Sequence, residues 1–400
     1  RWHLATQSAM HAVNDALFAG IYPLLPLVAA DLGLTYAQVG ALKTAYSGAS
    51  AILQVPAGIA AERYGEQLLL ALGTGWVGIG LCAMAAGGGF ILLFALALFA
   101  GLGGNTQHPV ATAIISRLFE GPRRGTAIGT LNFAGDLGKV AAPAIAGVAV
   151  AAYGWRGGFL TLGAIGALFA LGYWVMMPSP PRPLGGEAGK ARADLPASPS
   201  EPGSIGWGIA NPRLFVGLVV VGMLDAMARG TTLTFAPFLL GQRGFDAAAI
   251  GLAYSAIYAA GATGKFVCGP LGDRYGTTAL IVATELVTAG GLLALLHAPA
   301  ALLFLAVIPL GFGLNGTSSV LYASVPAFFH AARRARGYGL FFTCVDVASA
   351  LAPIAYGALA DRLGVAASLT VLATATALIA PLALLVRPDR ADARAWYGRT

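Results

Sequence analysis

Charge is what this sequence has least of. Only 24 Lys and Arg and 17 Asp and Glu stand among 400 residues, 10% together, where soluble domains carry about a quarter. So little charge excludes an ordinary water-soluble globule. Cysteine is equally sparse. Cys82, Cys268 and Cys344 lie in separate apolar segments without CxxC or metal-ligand spacing, and read as packing residues. No HExxH, GxSxG or P-loop pattern occurs either, which argues against an enzyme and calls for no cofactor or metal.

What fills the sequence instead is apolar: 57% hydrophobic residues, 55 Gly and a mean hydropathy of +0.74. Apolar stretches long enough to cross a hydrocarbon layer of about 30 Å recur along nearly its whole length. The reading is an all-α polytopic membrane protein. No cleavable signal precedes the first stretch, so that helix is expected to be retained. Twelve spans are expected at 6–29, 36–60, 67–87, 89–119, 124–152, 155–177, 212–240, 246–272, 277–297, 300–329, 335–361 and 365–387. A Pro-, Gly- and Ser-rich linker at 178–211 divides an N-terminal bundle, 1–177, from a C-terminal bundle with a short tail, 212–400. Placing the linker and both termini in the cytoplasm puts 17 of the 24 Lys and Arg on that side, which sets the orientation. The same count accounts for the net charge of +7, and nucleic acid is not needed to explain it.

The halves repeat each other. "GIAAERYG" (58–65) returns as "GPLGDRYG" (269–276) at an offset of 211. "GLGGNTQHPV" (101–110) returns as "GFGLNGTSSV" (311–320) at 210, which also superposes Pro143 on Pro353 and Asp136 on Asp346. These are parallel repeats of one six-helix unit.

Twelve spans, two parallel repeats, a cytoplasmic linker and G-x-x-x-[DE]-R-x-G in the second and eighth inter-helix loops resemble the major facilitator superfamily. "HAVNDALFAGIYPLLP" (11–26), "LGLTYAQVG" (32–40) and the His-Pro of "NTQHPVA" (105–111) resemble its fosmidomycin-resistance branch of bacterial efflux carriers. Lys43 and Lys139 depart from that branch, which leaves the exported compound open. The resemblance implies the major facilitator fold in a bacterial inner membrane, working as a monomer by alternating access. Substrate would sit between the halves near the midplane, in a cavity lined mainly by spans 1, 4, 7 and 10.

An ionisable group at membrane depth costs about 2.5 to 3.5 kcal/mol, so each needs a partner or a task. Cavity-lining spans carry His11, Asp15, Lys43, His108, Asp136, Lys139, Asp225, Arg229, Lys265 and Asp346. Asp136 and Lys139, Asp225 and Arg229, and His11 and Asp15 each share a helix face. Simple neutralisation within each pair is one reading. A functional reading starts from Asp136 and Asp346, equivalent in the repeat, of which only Asp136 has a cation one turn away. A carboxylate without a fixed cation, in a cavity that wets and dries, suits proton exchange, which nominates Asp346 and Asp15. Asp136 joins them if substrate draws Lys139 away. Lys43, Lys139, Arg229 and Lys265 come from both halves and could clamp an anion, Arg229 bidentately. Asn105, His108, Asn315 and Tyr322 would add neutral hydrogen bonds, with Asp225 and His11 beside them. His108 also has a plainer use, satisfying carbonyls freed by Pro109.

The loop motifs read as mechanics. Asp273 with Arg274, and Glu62 with Arg63, are implied gate latches; Glu285 reads either as a support near the first or as a structural glutamate snorkelling at the membrane interface. The third copy of the pattern, "GALADRLG" (357–364), reads as plain helix termination. The expectation is a proton-coupled carrier of a small polar, anionic compound, exporting it by proton antiport. The alternative is proton-coupled uptake of a small organic anion.

Overall fold

The computed structural model describes residues 2–52, 60–61, 63–104, 107–119, 122–177, 209, 211–329 and 334–385. Among them, nine helices are long and apolar enough to cross a bilayer. One, Pro122–Met176, has 55 residues, about 80 Å at 1.5 Å per residue and too long for one crossing. It reverses at Gly154, φ 69°, and so supplies spans 5 and 6. Tyr36–Ile52 and Phe90–Leu102 supply spans 2 and 4, and span 4 resumes after a break as Gln107–Leu118. The remaining spans are Trp2–Leu32 (1), Glu66–Met84 (3), Pro212–Gln242 (7), Ala247–Tyr275 (8), Thr277–His297 (9), Leu303–Ser324 (10), Arg334–Leu363 (11) and, from Val365 to Leu385, span 12.

Local chemistry sets the ends of these helices. Asn211 accepts from Leu214 N at 3.2 Å ahead of Pro212, and Asp246 accepts from Ala249 N at 2.7 Å, so both begin on a side-chain cap. Span 2 opens with a reciprocal capping box. Gln38 N donates to Thr35 Oγ1 at 3.2 Å and Thr35 N to Gln38 Oε1 at 3.0 Å. Gly65, Gly276 and Gly364 end the three copies of the loop motif at φ 100°, 90° and 85°. Only glycine enters that region freely, which explains why each copy ends as it does.

The two six-helix bundles meet where span 2 lies along span 11 and span 5 along span 8. In a bilayer, close approach of small residues is what holds helices together. Gly40 abuts the carbonyl of Pro353 and Gly251 that of Pro143, so closely that a Cβ would collide with either. Gly357 and Gly147 abut Tyr36 and Ala247 in the same way. These contacts are repeat partners, 40 with 251 at an offset of 211 and 143 with 353 at 210. Aromatic rings cover the same face: Tyr22 stacks on Tyr254 at 5.8 Å, and Tyr36 meets Phe238 edge-on at 5.3 Å. One buried cluster therefore runs through both halves, from Tyr22, Leu25 and Val39 to Phe235 and Tyr254. Toward the opposite face, which carries the Gly65 and Gly276 turns, the halves part among the described residues. There a Cβ at Gly129, Gly269 or Gly339, further along spans 5, 8 and 11, would meet no described atom within 4 Å.

Candidate functional site

Span 1 places His11 and Asp15 one turn apart, both buried, with His11 Nε2 3.3 Å from Asp15 Oδ2. Gly138 of span 5 packs on the Ala12 carbonyl, so the two helices approach closely and Lys139 reaches across. Lys139 Nζ lies 2.8 Å from Asp15 Oδ2 and 3.5 Å from Asp136 Oδ1. Lys265, from the other half, comes to 2.8 Å from the same Asp136 oxygen. The result is a chain of alternating charge, Asp15, Lys139, Asp136, Lys265, that crosses between the halves just where they begin to part. The i,i+3 pair suggested by the sequence is its longest link.

Lys43 is buried on span 2 and donates to Ser349 O at 3.3 Å, while Thr44 donates to the Ala350 carbonyl. Asp346, one turn further along span 11, is exposed. Arg229 and Lys43 are the cations whose fields reach it, and among the described residues neither stands within ion-pair distance. Tyr22 lies within the fields of both Arg229 and Lys139, and Tyr258 within those of Asp15 and Arg229, and both rings belong to the buried cluster shared by the halves.

Span 7 carries the second cluster. Arg229 Nη1 is 3.4 Å from Asp225 Oδ2 and 3.5 Å from the Leu314 carbonyl, and Tyr322 acts on the same guanidinium. Asn315 donates to its own helix at Gly311 O, 3.4 Å, and packs on Gly261 of span 8. It therefore sits between spans 8 and 10. Glu62 and Asn105 lie outside the described residues, as do the side chains of His108 and Asp273. Arg63 and Arg274 occupy repeat-equivalent places, each over the ring of the following tyrosine, at 5.5 and 5.3 Å.

Two residues stand differently from their sequence reading. Glu285 does not support the turn at Arg274. It is 1% exposed, inside the C-terminal bundle, where Asp225, Thr317 and Arg229 are the polar groups acting on it. Its helix is rotated so that this position faces span 7. Asp361, in the third loop-motif copy, does more than end span 11. Its Oδ1 accepts from Tyr36 N at 2.6 Å and its Oδ2 from Ala37 N at 3.0 Å, so the carboxylate caps span 2 across the closed face. The repeat held a signal for Glu285. Asp15 and Asp225 are equivalent at an offset of 210, and Thr74, which donates to Asn14 Oδ1 at 3.5 Å, is equivalent to Glu285 at 211.

Known proteins resemble this chain in sequence and in backbone. The chain is 26% identical over 406 residues to a probable sulfoacetate transporter of Cupriavidus necator, covering 91% of this chain and 90% of that protein. It is 29% identical over 146 residues to a probable L-galactonate transporter of Escherichia coli, and 28% over 151 residues to the fosmidomycin resistance protein of the same organism. These two matches cover 36% and 38% of this chain and 32% and 37%, about a third, of the relatives. The fosmidomycin branch is thus one of several resemblances. The backbone resembles that of a bacterial homolog to the human lysosomal transporter Spinster, crystallised in an inward-facing and occupied conformation. The TM-score is 0.79 at 17% identity, covering 96% of each chain. A model of the Major Facilitator Superfamily matches residues 8–223 and 214–396. The chain belongs to the Major Facilitator Superfamily, and is a multi-pass membrane transporter of small solutes and not an enzyme.

Proposed function

We propose that this transporter moves a small organic anion together with protons, and that its direction in the cell is uptake. The observation that carries this reading is the pairing of three central cations with carboxylates. Lys139 meets Asp15 at 2.8 Å, Lys265 meets Asp136 at 2.8 Å and Arg229 meets Asp225 at 3.4 Å. An entering anion must take a cation from a carboxylate. A carboxylate left without its cation in a low-dielectric cavity is stabilised by taking a proton. Anion and proton then load together, which is symport. Antiport would need the anion to displace the proton, which this arrangement disfavours. The relatives' names agree in chemistry: sulfoacetate and L-galactonate are both carboxylates.

In this reading Arg229, Lys139, Lys265 and Lys43 hold the anion, with Tyr322, Asn315, Asn105, His108 and His11 supplying neutral contacts. Asp15, Asp136 and Asp346 exchange protons. The closed face is extracytoplasmic, the termini are cytoplasmic in a bacterial inner membrane, and the 178–211 linker tethers the two moving bundles of one functional monomer. Occupancy matters because Lys139 and Lys265 come from different halves. An anion bridging them draws the parted face together, and differential binding of that kind is what shifts a two-state equilibrium.

Calorimetry on the purified protein tests the coupling. Sulfoacetate, galactonate and a small phosphonate are titrated in two buffers of different ionisation enthalpy. The expected result is net proton uptake on binding, with affinity rising as pH falls. Proton release on binding, with affinity rising as pH rises, would overturn the symport reading in favour of export by antiport.

A further inference from the structure

Away from the central charge chain lie two acidic side chains with one cation between them. Asp225 is 4% exposed and Glu285 1% exposed, on spans 7 and 9 of the C-terminal bundle. Each acts on the other directly, and Thr317 is the further polar group that reaches Glu285. Thr317 Oγ1 already donates to Thr284 Oγ1 at 2.7 Å. Among the described residues no well-formed hydrogen bond reaches either oxygen of Glu285, although Thr317 and Asp225 stand beside it. Arg229 is the cation at hand, and it divides its long contacts between Asp225 and the Leu314 carbonyl.

Every element packed on this pair is poor in further charge. Span 10 contributes Tyr322, which acts on Arg229; span 8 contributes the Cys268 thiol, near Gly316, and Lys265, and span 2 contributes Lys43, the fields of both lysines reaching Arg229. Span 11 contributes Asp346, whose field also falls on Arg229. Span 12, residues 365–385, has no titratable side chain. Two ionised carboxylates against one guanidinium would leave a buried negative charge without a donor. Such a charge is costly enough that the group neutralises instead.

We infer that Asp225 and Glu285 form a proton-binding site in the C-terminal bundle, one proton shared between two carboxyl groups and its occupancy governed by Arg229. The site rests on the anion reading only for its coupling. When an anion draws Arg229 toward the centre, the pair loses its cation and takes a second proton. When the anion leaves, Arg229 returns and that proton is released. The repeat places Thr74 where Glu285 stands, so the N-terminal bundle has no second carboxyl at the equivalent position.

Infrared titration of the full-length protein in lipid, without added anion, tests the site. The expected wild-type spectrum contains a protonated-carboxyl band that persists through neutral pH and exchanges slowly in D₂O. Glu285→Gln, nearly isosteric, should lose that band, and Arg229→Gln should add a second. A Glu285→Gln spectrum retaining every wild-type carboxyl band would overturn the proposal, as would an Arg229→Gln spectrum without an added one. The Arg229→Gln arm leaves both carboxyls in place, so it decides the question even if Glu285→Gln fails to fold. Sulfoacetate is added last. If it leaves the bands unchanged while the ligand-free arms behave as expected, the proton site stands and its coupling to the anion falls.

Discussion

Removing the Asp361 carboxylate should open the closed face. In the structure it accepts two backbone N–H groups at the start of span 2, from the other half of the molecule, at 2.6 and 3.0 Å. When the halves separate at this face, those N–H groups and the carboxylate return to water, so only the net worth of the bonds counts. Asp361 is exposed, which places each bond at the low end of the range, about 1 kcal/mol, or about 2 kcal/mol together. That corresponds to about a 30-fold change in the equilibrium between closed and open at this face. Asp361→Asn keeps one acceptor oxygen and should give an intermediate shift, with Asp361→Ala giving the full one. Spin labels at Ala30 and Gln242, exposed ends of spans 1 and 7, report the separation by pulsed electron resonance. The expected result is a longer-distance population that grows from wild type to Asn to Ala. Identical distance distributions in all three proteins would refute the view that this cap holds the halves together.

Other expectations follow from the same contacts. Gly40→Val and Gly251→Val each push a side chain into a proline carbonyl of the opposite half. Both should populate the face-open state in the same labelling assay and slow transport. Lys139→Ala removes a cation from two carboxylates, and Arg229→Ala removes the cation nearest Asp225. Truncating one partner of a buried pair costs about 2 to 5 kcal/mol, so anion affinity by calorimetry should fall at least about 30-fold. Asp346→Asn should abolish proton-driven accumulation in vesicles but leave anion binding and anion exchange. Accumulation at the wild-type rate would remove Asp346 from the coupling path.

The sequence disclosed the fold better than it disclosed which buried charges would meet. Scarce charge, apolar runs and offsets of 210 and 211 suffice for twelve helices in two related bundles, because each is a property of the chain itself. Partner choice is different. Spacing along one helix brings Lys139 to Asp136, yet the rotation of span 5 against span 1 turns it to Asp15 at 2.8 Å. Lys265 reaching Asp136 depends on how two bundles meet, which no single-helix pattern encodes. Glu285 seemed near a loop when counted along the chain, but helical phase, one residue being 100° of rotation, sends it inward against Asp225. Asp361 lay in a pattern with a sufficient local meaning, helix termination, and its second use appears only once span 2 stands opposite. The offset joining Asp15 to Asp225 was readable from the start. Following it to Thr74 and Glu285 marks the position where one half carries a carboxyl and the other does not.

The most direct measurement is proton movement during anion transport in proteoliposomes carrying an internal pH dye, challenged with sulfoacetate, galactonate and a phosphonate. Symport requires an inward anion gradient to acidify the lumen, an effect lost in Arg229→Ala and Lys139→Ala. Alkalinisation of the lumen by the same inward anion gradient would contradict it and establish exchange of anion for proton.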